Sequence, residues 1–221
     1  EKNRMVFTLM PEVETPKTEA PKAAVSANVT AQQVIDNYAA ALGGKSKLEA
    51  VKTVKTLSTI KVMGMEMEAT TLEMAPNKSK AVQKIMGQEM VQVFDGEKGY
   101  MMQAGQRMDL PAPAIEEAKK KRLFEVLSYN AADFKTVEKV TEEGKELYLL
   151  AGAGKKLYFD TKTNLLVKST SDKGDMVILD YMEVDGIKFP KNIKLAMMGQ
   201  NMEMTNNQVI VNKEVSAEDF K

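Results

Sequence analysis

One short pattern returns three times in this chain: a lysine, then a Met-Gly pair, then a glutamate. It stands as "KVMGMEME" at 61–68, "KIMGQEM" at 84–90 and "KLAMMGQNMEM" at 194–204. A two-residue turn at Met-Gly needs positive φ, which glycine supplies, and it joins two antiparallel strands in a fixed register. With Met63-Gly64 as the turn, Val62 faces Met65, Ile60 faces Met67 and Ser58 faces Ala69 on one side. Lys61 then lies opposite Glu66, and Thr59 opposite Glu68, on the other. The same rule sets Lys84 opposite Glu89, Leu195 opposite Met202 and Lys194 opposite Glu203. It also gathers Ala81, Ile85, Met90 and Phe94 on one face of the second hairpin, with Val82, Val91 and Val93 on the other. Because side chains alternate along a strand, each hairpin has a defined apolar face.

Period-two segments fill most of the remaining chain. "YMMQAGQRM" (100–108) predicts a hairpin about Ala104-Gly105. Strands are expected over 133–142, 145–151, 155–160, 164–172, 175–184, 187–198 and 201–212, broken by "EEGK", "GAGK", "DTKTN", "DKGD" and "VDG" at the short spacing of an antiparallel meander. Two segments read as helices. Thr30 and Gln33 form a capping box, Val34, Tyr38, Ala41 and Leu42 follow at helical spacing, and Gly43-Gly44 ends the run before a short helix at "KSKLEAV". The segment "PAPAIEEAKKKRLFEVLSY" predicts one amphipathic helix over 113–128, with Ile115, Ala118, Leu123, Val126 and Leu127 on its apolar stripe. Many strands with few helices make the fold class α+β on one large antiparallel sheet, which at that size tends to curl.

Composition removes whole classes of chemistry. The 221 residues contain no histidine and no cysteine. Ser-His-Asp and Cys-His catalysis, disulfides and the usual zinc sites are therefore out of reach. Thirty-one basic residues balance 31 acidic ones, so no net field recruits nucleic acid. No apolar run approaches the roughly 20 residues of a membrane-spanning helix. Residues 1–29 read as a tail or linker, with a Pro/Glu/Thr/Ala-rich stretch at 11–29 and one apolar scrap, "RMVFTLM", that suits a strand or the end of a preceding domain. The folded domain is expected over 30–221.

The 17 methionines allow three readings. They can fill a core, since methionine packs irregular gaps. They can line a cavity for a lipid-like or acyl ligand, where soft unbranched side chains suit a guest without fixed shape. They can bind copper(I), because thioethers two apart on a strand point the same way.

"KLYFDTKTNLLVKSTSDKGDMVILDYMEVDGIKFPKNIKL" (156–195), with the opening "YAAALGGKSKLEAVKT", resembles the LolA-like outer-membrane lipoprotein-sorting fold. It is similar to a domain found in Bacteroidota, alone in exported proteins or appended to insulinase-type (pitrilysin-like) zinc peptidases. The resemblance implies an unclosed β-barrel, a bent sheet whose helices cover a hydrophobic concave face. It implies an exported, periplasmic or cell-envelope protein without catalytic residues, cofactor or metal. Its expected partner is an acyl ligand, a lipidated protein or an upstream peptidase domain. The ligand cavity is then expected to be lined by Ile60, Met65, Met67, Ile85, Met90, Met101, Leu195 and Met202. The alternative is an accessory interaction domain of a peptidase or envelope complex, with a packed core and no ligand.

Overall fold

The structure, a computed structural model, describes residues 25–26, 28–85, 87–152, 154–197 and 199–221. The apolar stretch at 4–10 and most of the expected linker lie outside the described residues. The first meander comprises β2 (Thr53–Val62), β3 (Met65–Met74), β4 (Lys78–Ile85), β5 (Gln88–Phe94), β6 (Gly99–Gln103) and β7 (Gln106–Asp109). The second comprises β8 (Thr136–Glu142), β9 (Lys145–Gly152), β10 (Lys155–Asp160), β11 (Leu166–Ser171), β12 (Gly174–Val184), β13 (Ile187–Met197) and β14 (Gln200–Val211). The two meet where β14 pairs with β2, and β1 (Val25–Ser26) adds to β8. Among the described residues all 14 strands form one antiparallel sheet, and its terminal strands, β1 and β7, do not pair with each other. The barrel is left open. Among the described residues the first strand is β1.

The hairpin rule holds in detail. Ile60 pairs with Met67, Lys61 with Glu66, Lys84 with Glu89, Leu195 with Met202 and Lys194 with Glu203. Glycine alone does not make the first turn, however. Met63 (φ 50°) and Gly64 (φ 77°) are both left-handed, as a turn matching the twist of its strands requires, and Met63 is 77% exposed. On the outer face Glu203 also pairs with Lys61 across β14–β2, so Lys194, Glu203, Lys61 and Glu66 form a rung of alternating charge. Opposite charges in directly facing positions favour this register over a slipped one.

Helix α1 (Ala31–Leu42) starts at the expected capping box, in which the Gln33 amide N–H donates to Thr30 Oγ1 and the Thr30 amide N–H donates to Gln33 Oε1. Its buried face, with Val34, Ile35, Tyr38 and Leu42, and Leu48 of α2 (Lys45–Ala50) pack on Leu150, Leu157, Phe159, Ile187, Val209 and Val211. Tyr38 meets Phe159 with ring centroids 5.2 Å apart. This helix-covered end of the sheet holds the main core.

The single helix expected over 113–128 is not formed. Helix α3 spans only Ala112–Lys120, Lys121 is extended, and a 3-10 turn covers Glu125–Ser128. The reason is packing: α3 buries none of its residues, whereas Phe124 is inserted against Phe189 (5.6 Å) and Val126 is buried in the core. Reaching both depths requires the chain to unwind after Lys120.

Candidate functional site: a methionine-rich concave face

Directly paired residues of neighbouring strands point to the same side of a sheet. Tracing the register outward from Val54 and Val211, which pair with each other within the core, therefore identifies the concave face. Toward the hairpin tips this face carries two continuous rows. One is Met176, Leu195, Met202, Val62 and Met65; the other is Ile178, Ile193, Met204, Ile60 and Met67. The repeated motif is thus one device copied onto adjacent strands. Its copies fall into line because the Lys–Glu pairs fix the same register each time.

Five of the eight expected lining residues, Ile60, Met65, Met67, Leu195 and Met202, lie in these two rows. Met90 lies on the same face, aligned with Ala69 and Gln83, and Met101 pairs with Gln92 and Met108 one row further toward the helices. Ile85 ends β4 opposite Gln88, and its side chain is outside the described set. Met204 and Met176 were missing from the expected set. The "MEM" alternation at 202–204 carries the signal for Met204, while Met176 becomes visible only through the β12–β13 register.

The helices do not roof these rows. Of the described residues in the two rows, Ile178 belongs to the helix-covered core and Met176 packs against it, while Ile193 is buried outside that cluster. Ile60, Met67, Met90, Met101, Leu195, Met202 and Met204 are half-buried, and Met65 is 43% exposed. Three clefts formed by described residues, of about 420, 640 and 540 Å³, are lined by none of the expected residues, and the first meets the rows at Ile178. The site has the form of an open apolar trough. The outward Glu66 and Glu68 are exposed, as the register requires.

A buried polar belt separates the trough from the core. Ser58 and Asn206 face each other across β2–β14, and Ser58 Oγ donates to Asn206 Oδ1 at 2.7 Å. Asn206 Nδ2 donates to the Pro190 carbonyl at 2.7 Å, so both groups are satisfied. Asn207 is the unpaired residue of a bulge here, which bends the sheet. One carboxylate also lies on the concave side: Glu73, opposite Val54. Burial pushes its carboxyl above the usual range, and nearby Lys121 pulls it part of the way back.

Within the helix-covered end, Tyr38 and Tyr181 are neighbours, and the Tyr181 hydroxyl donates to the Leu166 carbonyl at 2.8 Å. Burial pushes the Tyr38 hydroxyl up to about 12 and raises those of Tyr181 and Tyr129. Burial keeps all three neutral, and the Tyr129 hydroxyl is buried without a hydrogen-bond partner among the described residues. None is poised as an acid or base near neutral pH.

No family model matches the chain, and no curated protein matches it in sequence. Solved structures do. A DUF1329 family protein from Desulfovibrio piger superposes with a TM-score of 0.54 at 8% identity, over 86% of this chain and 97% of that one. A putative outer membrane lipoprotein-sorting protein domain from Vibrio parahaemolyticus gives a TM-score of 0.53 at 9% identity, again over 86% and 97%. The fold is a LolA-like half-barrel. At such low identity the likeness shows the architecture alone. In this LolA-like sheet the trough occupies the concave side, beyond the reach of α1. Among the described residues no helix is long and apolar enough to cross a membrane.

Proposed function

We propose that this LolA-like half-barrel is a non-catalytic, exported carrier domain of the cell envelope that holds a lipid-like or acylated ligand on its methionine-rich concave face. The observation that carries this reading is the pair of in-register apolar rows, half-exposed and continuous across β12, β13, β14, β2 and β3. A contiguous apolar surface left open to water marks a binding site more often than a scattering of single residues does. Unbranched thioethers adapt their rotamers to a flexible chain, which suits a guest that is greasy but not rigid. Ile60, Met65, Met67, Met90, Met101, Leu195 and Met202, with Met204 and Met176, are the contacts. A chain without histidine or cysteine, whose buried tyrosines are held neutral, has holding as its chemistry. The sorting-domain neighbour from Vibrio parahaemolyticus supports an envelope role, in the periplasm or at the outer membrane.

The test is thermal. A palmitoylated peptide titrated into the purified chain should raise the melting temperature progressively with its concentration, and the same peptide without the acyl group should not. Equal melting curves for the two peptides would remove the proposal.

A second reading is favoured by the dense packing of the helix-covered end. There the domain is an accessory module docked to a zinc peptidase or another envelope protein. Native mass spectrometry of material from the host separates the two readings. A carrier co-purifies with acyl-bearing mass, and a docking module with a protein partner.

A further inference from the structure

The convex side of the sheet holds a cleft of about 540 Å³ at the opposite surface from the methionine trough. Its floor is Val93, Leu110, Ile115 and Phe220. Val93 pairs with Tyr100 and Tyr100 with Asp109, the face opposite Met101 and Met108. The floor is assembled from three distant parts of the chain. Leu110 folds back onto Gly99, where a Cβ would meet Leu110 Cδ1 at 2.5 Å and the Val93 carbonyl at 2.8 Å. Ile115 arrives on α3. Phe220 is carried in by the C-terminal 3-10 turn and is almost wholly buried, and the approach to that turn is tied to the convex face by the Lys55–Glu214 ion pair at 2.8 Å.

The polar rim is asymmetric in what it leaves available. Asp95 is committed to its own loop: its Oδ1 accepts the amide N–H groups of Glu97 (2.8 Å) and Lys98 (2.7 Å). Those two bonds hold its carboxyl below the usual range. Arg107 stacks over Tyr100, 3.9 Å from the ring centroid, and its one carboxylate contact is an exposed Nε to Asp109 Oδ1 distance of 3.5 Å. That is the limit of a hydrogen bond, so the guanidinium fork is oriented by the tyrosine ring and still able to take a carboxylate in bidentate fashion. Lys98 adds a second cation to the same rim.

We propose that this cleft binds a single-chain amphiphile with a carboxylate head, the chain lying on Val93, Leu110, Ile115 and Phe220 and the head on Arg107 and Lys98. The volume suits a small ligand, since such sites enclose roughly 300–1,000 Å³. Charge complementarity selects the head and the apolar floor selects the tail. This site is separate from the concave trough and does not depend on it.

The experiment is calorimetric titration of the full chain with sodium decanoate, decan-1-ol and decyltrimethylammonium, alongside methyl NMR of Leu110 and Ile115. Decanoate should bind, shift both methyl groups and weaken with added salt. The double substitution Arg107→Gln, Lys98→Gln, at exposed positions that carry no core, should weaken decanoate about ten-fold or more while leaving decan-1-ol unchanged. A Met67→Lys variant, altered only in the trough, should still bind decanoate and shift Leu110 and Ile115. Three results, each read at the Leu110 and Ile115 methyls in the Met67→Lys background, would overturn the assignment: equal binding of the cationic amphiphile, no loss on adding the double substitution, or decanoate heat with both methyls unmoved.

Discussion

Met204 stands directly opposite Ile60 across the β14–β2 seam, although the two come from opposite ends of the folded chain. That seam joins the two meanders, and it brings the third Met-Gly hairpin alongside the first. The apolar rows and the alternating charged rung on the reverse side both follow from it. Substitutions at the seam should therefore separate the ligand binding proposed for the trough from the stability of the core.

Met67→Lys is the sharpest such change. Met67 is half-buried in the trough and outside the helix-covered core, so a lysine can direct its ammonium to water. The expected cost is about 1 kcal/mol in denaturant unfolding, with acyl-dependent stabilisation lost. Leu150→Ala, at a fully buried core position, should cost about 2–5 kcal/mol and leave acyl binding by the remaining folded protein intact.

Asn206→Ala tests the polar belt. It strips the partner from the buried Ser58 hydroxyl and removes the side-chain donor to the Pro190 carbonyl. The expected loss is about 1–3 kcal/mol, measured by urea unfolding. The double change Ser58→Ala, Asn206→Leu should recover part of it, because no orphaned side chain then remains on β2.

Glu73 gives the protein a pH signature. Its folded pKa is raised, chiefly by burial, so between its unfolded value and that raised value the native state binds more protons than the unfolded state. Stability then falls as pH rises through that window. Glu73→Gln should flatten this part of the stability profile, raising the melting temperature at pH 7 and leaving it nearly unchanged at pH 4. An unchanged profile at both pH values would show that Glu73 is solvated.

Much of the sheet was readable in advance because its determinants are local. A turn residue with positive φ, period-two alternation and a facing Lys–Glu pair all lie within about ten residues of one another, and together they fix the hairpins and their faces. The β14–β2 seam was not readable, since nothing near residue 60 names residue 204 as its neighbour. The α3 segment misled for a related reason. Its helical periodicity continues past Lys120, but the pull of Phe124 toward Phe189 is a tertiary effect that overrides local preference. Nor could the sequence tell a roofed cavity from an open trough, because the same alternation serves both. The difference lies in where α1 settles, over Leu150, Phe159 and Val211, away from the hairpin tips.

Removing residues 1–27 tests how far the domain extends. β1 contributes only two pairings, Val25 with Lys139 and Ser26 with Glu138, whereas Val29 packs against the core. The truncated chain should keep a single cooperative thermal transition with a small drop in melting temperature. A broad, non-cooperative transition would show that the N-terminal residues belong to the fold.

The central claim is that acyl ligands sit on the rows formed by β12, β13, β14, β2 and β3. Methionine methyl NMR measures this directly, with each signal assigned by single substitution and a palmitoylated peptide as ligand. The account predicts saturable shifts at Met65, Met67, Met202 and Met204, with Met102, on the opposite face of the sheet, unmoved. Shifts confined to Met102, or none at the four trough methionines despite measurable binding, would contradict it.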